Sequence, residues 1–109
     1  MGSALYVSIR NPPSDLDTMM NGKALATAWE ALDAAAAELG VPPINKLCNN
    51  SWKAPEKGLP AFEKYLQYVE TNPTAVPNAH EVVEDLKDVI RLVSVARDLG
   101  TKWRLLLDY

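Results

Sequence analysis

The chain has 109 residues, 48% hydrophobic and 23% charged, with 11 Lys and Arg against 14 Asp and Glu for a formal net charge of -3. These are ordinary globular fractions that exclude a disordered or fibrous chain, and the length suits one domain over residues 1–109 with a single core. No Lys/Arg cluster supplies the basic footprint of nucleic-acid binding, and the single cysteine, Cys48, excludes an intramolecular disulfide and a cysteine-built zinc site.

From Ala4 to Arg10, Leu5, Val7 and Ile9 alternate with Tyr6, Ser8 and Arg10, the period of a half-buried strand. Asn11-Pro12-Pro13 ends it, and a loop follows whose Met19 and Met20 are expected to pack on the core. Lys23 to Leu39 reads as one alanine-rich helix with Leu25, Trp29, Leu32, Ala36 and Leu39 on one face, stopped by Gly40. The irregular stretch Val41–Lys57 has Ile44, Leu47 and Trp52 as its anchors. A second helix spans Leu59 to Thr71, with Phe62, Leu66 and Val69 inward and Tyr65 and Tyr68 flanking them. The third and longest runs from Asn78 to Gly100, where Val82, Leu86, Val89, Val93 and Ala96 form a stripe widened by Val83, Ile90 and Leu99. Asn78 with Glu81 has the spacing of a capping box, and Gly100 suits a left-handed helix end. The last residues alternate again, with Trp103, Leu105, Leu107 and Tyr109 on one face and Lys102, Arg104, Leu106 and Asp108 on the other.

A lone strand cannot satisfy its backbone, so the two terminal strands are expected to pair, antiparallel. The predicted fold is α+β: three helices packed on one face of a small sheet made from the N- and C-terminal strands, in the order β-α-α-α-β. Such a sheet keeps two edges, and pairing across a twofold axis into a four-stranded sheet is a natural cover. Arg104, Leu106 and Asp108 are then the expected interface residues of a homodimer.

No signal-like N-terminus and no apolar run near the roughly 18 residues that span a bilayer are present, so a cytoplasmic protein with no membrane partner is expected. Asn21-Gly22-Lys23 opens a helix, where free N–H groups favour an anion, but a phosphate loop is excluded because Asp17 and Ala24 stand where Gly and Ser or Thr are required. The acids Glu81, Glu84, Asp85 and Asp88 read as a solvated face of the long helix. Cys48 and His80 are the single candidate nucleophile–base pair, with nothing local to join them, so no catalytic residue, metal or cofactor is expected. The leading expectation is a small non-enzymatic interaction or regulatory module whose partner is itself or another protein. The alternative is a small-molecule binder or minor enzyme using the loops Asp15–Lys23 and around Trp52, with Asn21, Lys23 and Trp52 as ligand-binding residues.

The segments Asn21-Gly22-Lys23-Ala24-Leu25, Leu39-Gly40-Val41, Gly58-Leu59, Asn72-Pro73 and Trp103 to Asp108 together resemble a group of small bacterial proteins of unassigned function. The resemblance implies no activity. It implies a shorter and less acidic segment around Cys48 to Trp52 here than in those proteins.

Overall fold

The computed structural model describes residues 3–108; the inner-face position expected for Tyr109 lies outside them. The two ends of the chain form an antiparallel pair, β1 (Ala4–Ile9) and β2 (Trp103–Asp108), with Leu5 opposite Leu107, Val7 opposite Leu105 and Ile9 opposite Trp103. Leu5, Val7, Ile9, Trp103 and Leu105 are buried, as alternation requires of a sheet wet on one face only. The helices are α1 (Lys23–Thr27), α2 (Trp29–Leu39), α3 (Ile44–Leu47), α4 (Leu59–Thr71) and α5 (Ala79–Asp98), with single 3₁₀ turns at Pro55–Lys57 and Pro73–Ala75. The fold is therefore α+β, with five helices rather than three.

Two differences account for the count. The expected helix from Lys23 to Leu39 breaks at Ala28, where φ is −86° and ψ 1°. Thr27 Oγ1 donates back to the Lys23 carbonyl at 3.0 Å, a bond that bends helices, and the Trp29 indole is drawn to Asp33 Oδ2 at 2.7 Å on the flank of α2. The second difference is α3, a single turn within the irregular stretch, whose Ile44 and Leu47 are buried as expected of anchors.

The long helix α5 packs on α4, on α1 and on β1. Its stripe of Val82, Leu86, Val89, Val93 and Ala96 is buried, and Leu92 joins it. Thr101 N–H donates to the Ala96 carbonyl (2.9 Å) and Gly100 N–H to that of Arg97 (3.1 Å), the paired bonds of a left-handed ending, with φ +68° at Gly100. The opposite end corrects the capping-box expectation: Asn78 is itself left-handed, with φ +52°, and makes no side-chain cap bond. Leu99 is 47% exposed and outside the stripe, and Met19, at 81%, projects from its loop while Met20 packs on the core. On α4 the fully buried side chains include Tyr65, whose hydroxyl donates to the Pro42 carbonyl at 2.7 Å, whereas Leu66 is half-buried.

Trp103 sits where these layers meet. It is fully buried, its indole N–H donates to the Ala54 carbonyl at 3.0 Å, and its ring meets Phe62 edge-on with centroids 5.6 Å apart. Gly58 has no room for a side chain because a Cβ there would fall 2.2 Å from the Trp103 ring.

Candidate functional site

Hydrogen-bond parity fixes which edge of β2 is free. The Arg10 N–H donates to the Lys102 carbonyl at 2.9 Å, so even-numbered residues of β2 turn their backbone groups toward β1. Odd-numbered residues turn theirs outward. Trp103 exchanges two bonds, 2.8 and 3.0 Å, with Lys53, which thereby forms a one-residue stub of a third strand. Side chains alternate across this stub as they would in a strand. Lys53 Nζ lies 5.5 Å from the Trp103 ring centre on the inner face, and the Trp52 ring lies 4.3 Å from the Arg104 guanidinium on the outer face.

Before Trp52 the chain peels away from β2. Asn49 Oδ1 accepts from the Ser51 N–H at 2.9 Å and from Lys53 Nζ at 2.6 Å, while Lys53 Nζ also donates to the Ser51 carbonyl, so the segment closes on itself. The outward N–H and C=O groups of Leu105 and Leu107 consequently have no partner among the described residues. They open onto a groove of about 470 Å³ whose far wall is Trp29, Cys48, Asn49 and Asn50. The edge of β1 is closed at one point, where the Leu5 N–H donates to the Gly22 carbonyl at 3.1 Å with Gly22 pressed on the strand, while the outward groups of Val7 are likewise without a partner among the described residues.

Of the expected interface residues, Arg104 and Leu106 are half-buried and Asp108 is exposed on the outer face. Trp52 covers that face at Arg104, whose Nε is buried without a hydrogen-bond partner, and Tyr6 stands opposite Leu106, 39% exposed. The apolar part still open is thus the edge at Leu107 together with Leu106, both half-buried and both lining the groove.

The expected ligand-binding residues do not converge. Asn21 and Lys23 line a hollow of about 430 Å³ shared with His80, Glu81, Glu84, Asp85 and Asp88, whereas Trp52 lines another, of about 490 Å³, with Lys53, Lys57 and Lys102. Two of the N–H groups opening α1 are also already engaged by side chains, that of Lys23 by Asn21 Oδ1 (3.2 Å) and that of Leu25 by Asp85 Oδ2 (3.0 Å), and that of Ala26 bonds the Gly22 carbonyl (3.1 Å). Asp85, expected on the solvated face, is 4% exposed and supplies the anion that this helix start favours. Cys48 and His80 border different hollows, so the two do not form a nucleophile–base pair. Burial pushes the Cys48 thiol up and the Lys53 ammonium down, each partly offset by the charge of the other. Among the described residues no group of three or more His, Cys, Asp or Glu side chains is placed to hold a metal ion, and no helix is long and apolar enough to cross a membrane.

Comparison of the chain with protein-family models, with curated proteins and with solved structures finds no match. The functional reading therefore rests on the edge, the groove and the hollows themselves.

Proposed function

We propose that this chain is a small, non-enzymatic interaction module of the cytoplasm, and that it acts as a homodimer through the free edge of β2. The observation that carries the reading is the pair of unpartnered residues, Leu105 and Leu107, facing the groove beside Cys48. An edge of this kind recognises an extended backbone. Leu107 is half-buried and open to one, whereas Leu105 is fully buried, so its N–H and C=O are reached only once the groove wall at Cys48–Asn50 gives way. β2 is itself such a segment. Placed antiparallel about a twofold axis at Leu106, two copies would pair each Leu105 with the partner's Leu107 and extend the two-stranded sheet to four strands. The two Leu106 side chains would then meet on the outer face, beside Tyr6.

Light scattering over a range of concentrations tests this with the parent and Leu106→Glu. The expected result is a parent dimer that the substitution splits, because two carboxylates would face each other at the axis. Cys48 gives a second readout, since it lines the groove: alkylation of its thiol is expected to slow as the protein is concentrated. A parent that stays monomeric at every concentration, with a Cys48 reactivity that does not change, would overturn the homodimer.

A further inference from the structure

We propose that the hollow beside Trp52 is a binding site for a small organic anion, one with a flat apolar body and a single carboxylate or phosphate group. Three observations lead there. The first is the distribution of charge. In a chain whose acids outnumber its bases, Lys53, Lys57 and Lys102 border this hollow and no acidic side chain does.

The second is that none of the three ammonium groups has a carboxylate partner. The ion pairs among the described residues are Lys87 with Glu84, Arg91 with Asp88 and Arg97 with Asp98, all elsewhere. Lys53 is held in place by neutral oxygens alone, at 2.6 Å from Asn49 Oδ1 and 3.1 Å from the Ser51 carbonyl, which leaves its charge uncompensated. Like charges around one concavity repel, and a bound anion relieves that repulsion while the walls focus the field toward it.

The third is the chemistry of the rest of the lining, which apart from Ser51 is apolar: Pro42, Leu47, Ala54 and Trp52. A volume of about 490 Å³ is within the usual range for small-molecule sites, and a lining that mixes apolar side chains with three lysines favours an amphipathic anion over a bare inorganic one. Trp52 carries the Arg104 guanidinium over one face of its ring, which leaves the other face for stacking. The acidic hollow at Asn21 has the opposite character and serves as an internal contrast.

The site does not depend on strand pairing, so the two proposals fail separately. The probe is 8-anilino-1-naphthalenesulfonate, followed by fluorescence, with the uncharged N-phenyl-1-naphthylamine as its analogue and benzoate and phenyl phosphate as competitors. Saturable binding of one probe per chain is expected, weakened at least about tenfold in the double variant Lys57→Gln/Lys102→Gln and at least about tenfold weaker for the uncharged analogue. Both lysines are exposed, so an unchanged thermal midpoint shows that the double variant folds. Leu106→Glu is expected to leave the affinity as it is, because Leu106 borders the other groove. Displacement by benzoate alone assigns a carboxylate head, and displacement by phenyl phosphate alone assigns a phosphate. Equal affinity for the uncharged analogue, binding undiminished in the double variant, or no saturable binding would each overturn the proposal.

Discussion

The carboxylate of Asp85, in the second turn of α5, accepts a hydrogen bond from the backbone N–H of Leu25 at 3.0 Å, sixty positions away in the chain. Leu25 is the third residue of α1, so its amide is one of those that a helix start leaves without an intrahelical partner. The bond fastens the short helix to the long one, and α1 in turn lies against β1. The N-cap position of α1, Gly22, has no side chain to offer, and Asn21 Oδ1 takes only the first amide, that of Lys23, at 3.2 Å. The charge that stabilises it comes from a neighbour instead.

Removing that carboxylate should loosen the α1–α5 junction. Asp85→Ala strands a buried N–H and is expected to cost about 1–3 kcal/mol, whereas Asp85→Asn keeps an acceptor in place and should cost less, about 1 kcal/mol. Chemical denaturation of the two variants beside the parent measures both. Equal losses would mean that the hydrogen bond to Leu25 contributes nothing beyond the charge.

The position of Asp85 was present in the residue pattern. It stands three residues after Val82 and four before Val89, on the buried stripe, and the acids around it masked that spacing because acids near a helix start are ordinarily solvated. The strands and α5 were legible because alternation and the helical stripe are local signals read over six residues or more. The break at Ala28 had no such signal: alanines surround it, and the Thr27 hydroxyl that bonds back to the Lys23 carbonyl beside it shows only in the fold. Lys53 was equally hidden, since a single bridged pair has no period and its partner Trp103 is fifty residues away. Trp52 stands out in the sequence as a ring on an irregular loop, but the three lysines it keeps company with come together only through the fold.

Gly22 and Gly40 separate two costs of a glycine. Both are left-handed, with φ of +72° and +69°, so alanine at either carries a conformational cost of about 1 kcal/mol. At Gly40 nothing lies within 4 Å of a new Cβ, but at Gly22 it would fall 1.7 Å from the Leu5 carbonyl oxygen. Gly40→Ala is therefore expected to lose about 1 kcal/mol, and Gly22→Ala at least about 3 kcal/mol, since α1 must move off β1. Similar melting curves for the two would show that the contact between Gly22 and β1 yields easily.

Asn49 is the residue that folds the Cys48–Lys53 segment onto itself and so keeps it off the edge of β2. Its side-chain oxygen accepts from both Ser51 and Lys53. Asn49→Ala should cost about 1 kcal/mol, the usual worth of such bonds at an exposed site, and should speed alkylation of Cys48, the adjacent residue. An unaltered alkylation rate would place the control of Cys48 access in the rest of the groove wall.

Tyr65 predicts the shape of the alkaline limb. Burial, with the negative charge of Asp33 adding to it, pushes its hydroxyl from 10.0 up to about 12, so the folded protein holds this proton more tightly than the unfolded chain. Its contribution is therefore whole below pH 10 and is lost as the pH rises from there through about 12, amounting to about 2–3 kcal/mol at the end of that window. Burial raises the Cys48 thiol too, which acts in the same sense, whereas the lowered Lys53 ammonium acts in the opposite one. The difference between the parent and Tyr65→Phe isolates the one group, because Cys48 and Lys53 are common to both. Phenylalanine gives up the bond to the Pro42 carbonyl, about 1 kcal/mol at neutral pH, and should then hold its stability over the range in which the parent declines. The two curves are expected to converge and cross between pH 10 and 12; a constant gap between them would mean that Tyr65 ionises as readily in the fold as outside it.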